Sequence, residues 1–384
     1  MENKKEKIAH ETLVGASEEQ SNQTKSNDII TDFEQEINTP EGIYEDYFRE
    51  MQLQMLPGYL KTVSMTELYD TAFESQLSLI DGLLCRGTYL FVGAPKVGKS
   101  FMMAQLAYHV STGCDLWGYK VRKCPVLYFA LEDDYVRLQK RLYQMFGTEG
   151  AEDLYFATES KTVTGGLREQ ISTFMQEHPT TGLIIIDTLK RVRESNESDF
   201  SYANDYDVVA QLKAIADSYK VTMLIVHHTR KQDANDKFDT ISGTNGLLGA
   251  ADGAMLLYKL DRTSNAGFLE ITGRDQQDLR IALERDPEKL IWKMKEITTE
   301  LWKIPPDPLL EQVSEFLLSA GNVWAGTPTE LCDALKLDMK PNALSLKLNV
   351  NSSALLKDYN ISYKSKRCHE GRKILLRRVE PISA

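Results

Sequence analysis

The stretch "FVGAPKVGKS" places Gly93, Gly98, Lys99 and Ser100 in the spacing G-x-x-x-x-G-K-[ST], directly after an apolar run and directly before the helical "FMMAQLAYHV". These residue types in this order suit phosphate. The backbone of Gly93, Ala94, Pro95, Lys96, Val97 and Gly98 can turn toward a β-phosphate, and the helix opening at Lys99, Ser100 and Phe101 points its positive end at the same place. Lys99 then reaches β- and γ-oxygens and Ser100 ligates Mg²⁺, so ATP with Mg²⁺ is the expected ligand.

Two carboxylates stand where such a site needs them. "GLIIIDT" ends an apolar run on Asp187, a strand-end position from which a carboxylate binds Mg²⁺ through water; capping of the following helix is the competing role. "VLYFALEDD" ends its run on Glu132, Asp133 and Asp134. Glu132, nearest the strand, is the candidate to polarise an attacking water, while Asp133 or Asp134 caps the next helix.

A third run, "LIVHHTRKQD", passes from apolar residues into His227 and His228 and then into cations. A metal site, an acid/base pair and a sensor of a charged ligand all fit those residue types. Neighbours on a strand point to opposite faces, which counts against both histidines gripping one metal. His227 alone also fits a hydrogen-bonded core position.

The elements that must hold these residues follow from patterning. "TYLFVGA", "CPVLYFAL", "GLIIIDT" and "VTMLIVHH" are nearly continuous in apolar residues, as strands covered on both faces of a parallel sheet are, and the segments between them are long enough for crossover helices. "ADGAMLLYKL", "GFLEITGRD" and "LRIALERD" lie closer together and predict a terminal antiparallel extension. Ser64 or Thr66 can cap a short helix with Glu67 in its first turn. Pro305, Pro306 and Pro308 break the pattern, giving an expected division into a tail (1–58), a phosphate-binding α/β domain (59–304) and a C-terminal unit (305–384).

Composition narrows the class. The 384 residues are 42% hydrophobic, enough for a substantial core, and no run approaches the roughly 18 apolar residues of a membrane helix. The first residues lack a signal peptide's apolar stretch, so a cytoplasmic location without a membrane partner is expected. Cys85, Cys114, Cys124, Cys332 and Cys368 form no CxxC pair and are read as reduced thiols. Residues 1–50 hold thirteen acidic residues against five basic ones, too polar to bury a core and expected to be disordered, whereas residues 361–380 hold seven Lys/Arg against two Glu. One end repels phosphate and the other attracts it.

Taken together, "GAPKVGKS", "LYFALEDD", "IIIDTLKRV", "LIVHHTRK" and "SGTNGLLGAADGAMLL" resemble the RecA-like ATPases that include the hexameric replicative helicases of plasmids, phages and mobile elements, over roughly residues 60–305. The resemblance implies an α/β fold: a RecA-like, mostly parallel sheet forming a P-loop ATPase core. It implies a homo-oligomer, a hexameric ring acting on single-stranded DNA. It assigns His228 the role of sensing the γ-phosphate and passing its presence to the loop beyond. Loops after Asp187 and after His228 would line a pore, with Lys190, Arg191, Arg193, Arg230, Lys231 and Lys237 available to strand phosphates. Arg274 matches the arginine that completes a neighbour's site, although Thr272 stands where many relatives have lysine; Arg280 is the substitute.

The C-terminal unit reads as three helices followed by two strands around "KRCHEGRK", the order of a winged-helix-like domain. Its third helix would enter a duplex groove while Arg367, His369, Arg372 and Lys373 meet phosphates; a protein-binding role for the same unit competes with this. The expected activity is therefore an ATP-driven DNA translocase or helicase. An ATP-switched DNA-binding regulator or helicase loader that does not unwind is the alternative, and a small-molecule kinase lacks the acceptor and lid features it would need.

Overall fold

The computed structural model describes residues 31, 33, 48, 51–53, 55–73, 78–193, 202–228, 245–261, 263–274, 276–297, 307–368 and 371–380. They form two compact units, one spanning residues 77–303 and one combining residues 304–382 with the chain before residue 77.

The first unit is built on β1 (Thr88–Gly93), β2 (Val126–Ala130), β3 (Leu154–Ala157), β4 (Leu183–Asp187), β5 (Thr222–His228), β6 (Gly253–Tyr258), β7 (Ala266–Gly273), β8 (Gln276–Arg285) and β9 (Trp292–Ile297). Among the described residues they make one sheet in the order β3-β2-β4-β5-β1-β6-β7-β8-β9. This is a mostly parallel α/β core with an antiparallel edge. The strands β1, β2, β4 and β5 coincide with the apolar runs of the sequence and are buried on both faces: Tyr89 and Phe91 enter one hydrophobic cluster, Leu90 and Val92 the other. Strand β5 lies between the strand ending in the glycine loop and the strand ending in Asp187.

Two features depart from expectation. Strand β6 pairs parallel with β1, so the antiparallel extension begins only at β7. Strand direction is set by the path through Asn245–Ala250, which local patterning does not reveal. Strands β3 and β9 were not foreseen; β3 is half-buried throughout and lacks the apolar signature of its neighbours.

The second unit contains helices α1 (Met65–Asp70), α2 (Pro308–Ser319), α3 (Pro328–Leu335), α4 (Pro341–Val350) and α5 (Ser352–Tyr359), numbered within this unit, with strands β10 (Val323–Gly326), β11 (Ile361–Cys368) and β12 (Gly371–Arg378) in the order β10-β12-β11. A capping box of Ser64 and Glu67 starts α1, as the sequence predicts. The third helix expected in this unit is divided at Asn351, where the backbone leaves the helical region (φ −98°, ψ 15°) and the Lys347 carbonyl accepts from both the backbone N–H (3.0 Å) and the side-chain amide (2.8 Å) of Asn351.

Residues 65–73 belong physically to this unit, although sequence spacing grouped them with the phosphate-binding domain. Asn349 donates to the Tyr69 carbonyl (2.8 Å), Ser352 to the Phe73 carbonyl (3.4 Å), and Arg372 bonds the Asp70 carbonyl (2.9 Å) and pairs with its carboxylate (2.7 Å). Among the described residues no helix is long and apolar enough to cross a membrane.

Candidate active site

Parallel pairing brings the sequence-predicted residues to one edge of the sheet. Gly93 ends β1 directly opposite His228 at the end of β5, and Ala130 of β2, two residues before Glu132, is opposite Asp187 at the end of β4. The loop from Ala94 to Val97 then leads to Gly98, whose φ of 109° is left-handed and whose missing Cβ would lie 3.1 Å from the Trp292 ring. Gly93 is equally constrained: a Cβ there would meet the Leu257 carbonyl at 2.4 Å. Helix Lys99–Thr112 starts at once, with Ser100 and Phe101 in its first turn.

Lys99 is 5% exposed. Its ammonium donates to the carbonyls of Gly93 (2.8 Å) and Ala94 (3.1 Å) and lies 3.0 Å from Nδ1 of His228. An ammonium has only protons to offer, so His228 accepts through Nδ1 and carries its own proton on Nε2. Burial lowers the Lys99 pKa to about 8, against the opposing fields of Asp187 and Glu132. Holding that ammonium costs ~3 kcal/mol relative to water, an energy that an arriving anion relieves. Burial and the neighbouring Lys99 also lower the His228 pKa, with Glu132 opposing, which keeps the ring neutral near pH 7.

Asp187 is also buried. Its carboxylate accepts from the Tyr128 hydroxyl (3.0 Å) and from the side chain of Ser100. Desolvation raises its pKa, and those two hydrogen bonds oppose the rise. A hydroxyl and a carboxylate already in contact make the hard-oxygen pair that Mg²⁺ prefers, so the residues present fit that ion. Glu132 is aimed by Thr188, which donates to Oε1 (3.2 Å); Asp134 caps the next helix, and Asp133 pairs with Arg141.

The remaining candidates are distributed differently. Lys190 and Arg191 are exposed on the short helix Leu189–Val192 that follows Asp187. Arg230, Lys231, Lys237 and His369 lie outside the described residues. Arg274 follows β7 beside Asp252 and the start of β1, at the sheet edge opposite the glycine loop, where it donates to the Gly249 carbonyl (3.1 Å). Arg280 stacks on Phe268 and pairs with Glu270 in mid-sheet. In the second unit Arg367 is exposed, Lys373 half-buried and Arg372 taken up by Asp70. Arg372, expected to meet phosphate, pairs here with the Asp70 carboxylate (2.7 Å). Among the described residues no group of three or more His, Cys, Asp or Glu gathers as a metal cage would require.

Sequence reasoning missed Tyr128, Thr188 and Trp292. Tyr128 is fully buried in an apolar strand whose pattern hides its hydroxyl. Trp292 packs beneath the glycine loop, fixed by paired bonds between its backbone and the Gln105 side chain (2.7 and 2.8 Å). A tyrosine two residues before a strand's C-terminal end was a usable signal for the first; nothing local marked the second.

A family model described as "AAA domain" matches residues 30–234, more than half of the chain. The chain belongs to this AAA-domain family. Its sheet order, glycine loop and strand-end carboxylates are those of a P-loop ATPase domain. No curated protein matches the chain. Similar solved structures include a DnaB-like replicative helicase studied with primase (15% identity, 72% of this chain and 78% of that one covered, TM-score 0.49). Others are a solved ATPase domain (16%, 67% and 98%, TM-score 0.47) and a KaiC-like protein of the archaeon Pyrococcus horikoshii (15%, 59% and 99%, TM-score 0.41). Family membership rests on the sequence match.

Proposed function

We propose that the chain is a ring-forming ATPase that moves along single-stranded DNA in the manner of a replicative helicase, with a plasmid, phage or mobile element as its setting. The observation that carries this reading is the convergence of Lys99, Ser100, Asp187, Glu132 and His228 on one sheet edge, with Arg274 on the other. Strand β1 has six residues and separates the two edges by about 17 Å at 3.3 Å per residue, so Arg274 completes a site only in another copy. That requirement supports a homo-oligomer, and the family resemblance of the motifs supports six subunits.

The chemistry is in-line attack of water on the γ-phosphate. Glu132, aimed by Thr188, orients the water and accepts its proton. Lys99 leaves its carbonyl and imidazole acceptors for the β- and γ-oxygens, while Ser100 and Asp187 would hold Mg²⁺, which supplies charge neutralisation between the phosphates. Release of Lys99 frees Nδ1 of His228. The imidazole Nε2–H can then donate to the terminal phosphate, linking phosphate occupancy to the basic segment that begins at Arg230. Exposed Lys190 and Arg191, with Arg230 and Lys231, are the proposed contacts to the strand.

The C-terminal unit, read as winged-helix-like, is a second nucleic-acid contact. A regulator or loader shares these motifs and differs in outcome. ATPase stimulation by single-stranded DNA together with strand displacement supports the translocase. Nucleotide-dependent DNA binding without displacement supports the regulator, and neither activity in a purified oligomer overturns the DNA assignment.

A further inference from the structure

The small sheet of the second unit has two chemically different faces. Trp324, Ile361, Tyr363, Ile374 and Leu376 face the helices and join their hydrophobic core. Strand alternation puts Val323, Ala325 and Leu375 on the opposite face. The register sets Lys366 across from Lys373 and Lys364 across from Leu375 on that face, with Arg377 beyond, giving an apolar strip framed by four cations.

That strip is covered. Phe33 is 4% exposed and packs with Val323, Leu375 and Ala325. In the sequence Phe33 sits within "TDFEQE", so the ring carries Asp32 and Glu34 with it as covalent neighbours. The same N-terminal stretch is tied to the unit a second time through Asp70 and Arg372, which raises the local concentration of the acidic segment at the cationic face.

We infer that the outer face of the C-terminal sheet is a nucleic-acid phosphate surface, and that the chain's own acidic segment, anchored by Phe33, occupies it in competition with nucleic acid. The inference rests on reading the C-terminal unit as a nucleic-acid module. The ring in the apolar strip supplies attachment, and its sequence neighbours Asp32 and Glu34 carry charge of the sign that a phosphate backbone carries. An arm docked nine-tenths of the time reduces the apparent affinity of the face about tenfold.

The test is duplex DNA binding by the full chain without nucleotide, followed by fluorescence anisotropy across a salt series. Four proteins are compared: wild type, Phe33→Ala, the triple Lys364→Ala/Lys366→Ala/Lys373→Ala, and the combination. Phe33→Ala is expected to bind about tenfold more tightly, with a steeper salt dependence as more counterions are released, and the triple substitution to abolish that gain. Asp32→Asn/Glu34→Gln keeps the ring in place and is expected to give a smaller gain, so the inference stays testable if Phe33→Ala lowers the melting temperature. Unchanged binding in both arm variants, with weaker binding in the triple variant, overturns the competition and leaves the nucleic-acid module standing. Unchanged binding in all of them overturns the module as well. A gain that survives the triple substitution places the released surface elsewhere and overturns the inference.

Discussion

Two carboxylates at opposite ends of the same sheet, Asp187 buried and Asp252 half-buried, are handled in opposite ways. Asp252, near the start of β1, accepts from the Thr88 backbone (2.9 Å), forms a short contact with Lys213 and lies 3.9 Å from Arg274. Its charge is spent inside the chain. Asp187, at the far edge, is held by a phenol and a hydroxyl, and the nearby cation Lys99 is held by two carbonyls and an imidazole. Neutral partners orient these charges without cancelling them. An ion pair staples strands together, whereas a cation and a carboxylate each held by neutral groups remain available to a ligand of the opposite charge.

The comparison breaks most easily at Lys99. Lys99→Ala is expected to lower hydrolysis by at least about a thousandfold and to weaken nucleotide binding, since one ammonium serves both; near-normal turnover in a steady-state assay would make the buried lysine a structural group. Next in size is the phenol that holds Asp187. Tyr128→Phe keeps the ring and is expected to raise the Mg²⁺ concentration for half-maximal nucleotide binding roughly tenfold, as loss of a hydrogen bond to a charged acceptor does. Nucleotide binding in EDTA should not move, and titration calorimetry in the two conditions separates the cases.

A pH series sharpens the electrostatic side. With a folded-state pKa of about 8, Lys99 is protonated below pH 8 and loses its proton above it, while a bound triphosphate holds the proton on. Nucleotide affinity should therefore be flat below pH 8 and fall as pH rises beyond it, by up to about tenfold per pH unit. Lys99→Arg should remove that fall. The smallest effect on nucleotide is expected at the opposite edge. Asp252→Asn should leave nucleotide affinity within about twofold while lowering the melting temperature, by about 2–4 °C for each kcal/mol lost; a large loss of affinity would mean that the two edges are not the separate devices described.

Much of the candidate site's placement on one sheet edge was legible because strand ends are. Buried parallel strands are apolar over most of their length, so the polar residue that closes each strand, Asp187 or His228, marks the edge where a ligand can sit. The glycine loop was equally readable because its spacing is dictated by phosphate geometry. What stayed hidden depends on pairing between distant segments. The direction of β6, Trp292 beneath Gly98, and the capture of Arg372 by Asp70 arise from partners far apart in sequence. Tyr128 was hidden for another reason: its ring satisfies the apolar pattern while its hydroxyl does the positioning.

On this reading the held-apart charges hydrolyse ATP with Glu132 orienting the water. Single-turnover hydrolysis by Glu132→Gln, measured beside its ATP affinity, tests it most directly. ATP binding is expected to stay within a few-fold of wild type and the hydrolysis rate to fall by about a hundredfold or more, as loss of a general base gives. Wild-type turnover in the glutamine variant would contradict it, and would move the water-orienting role to another residue of the site.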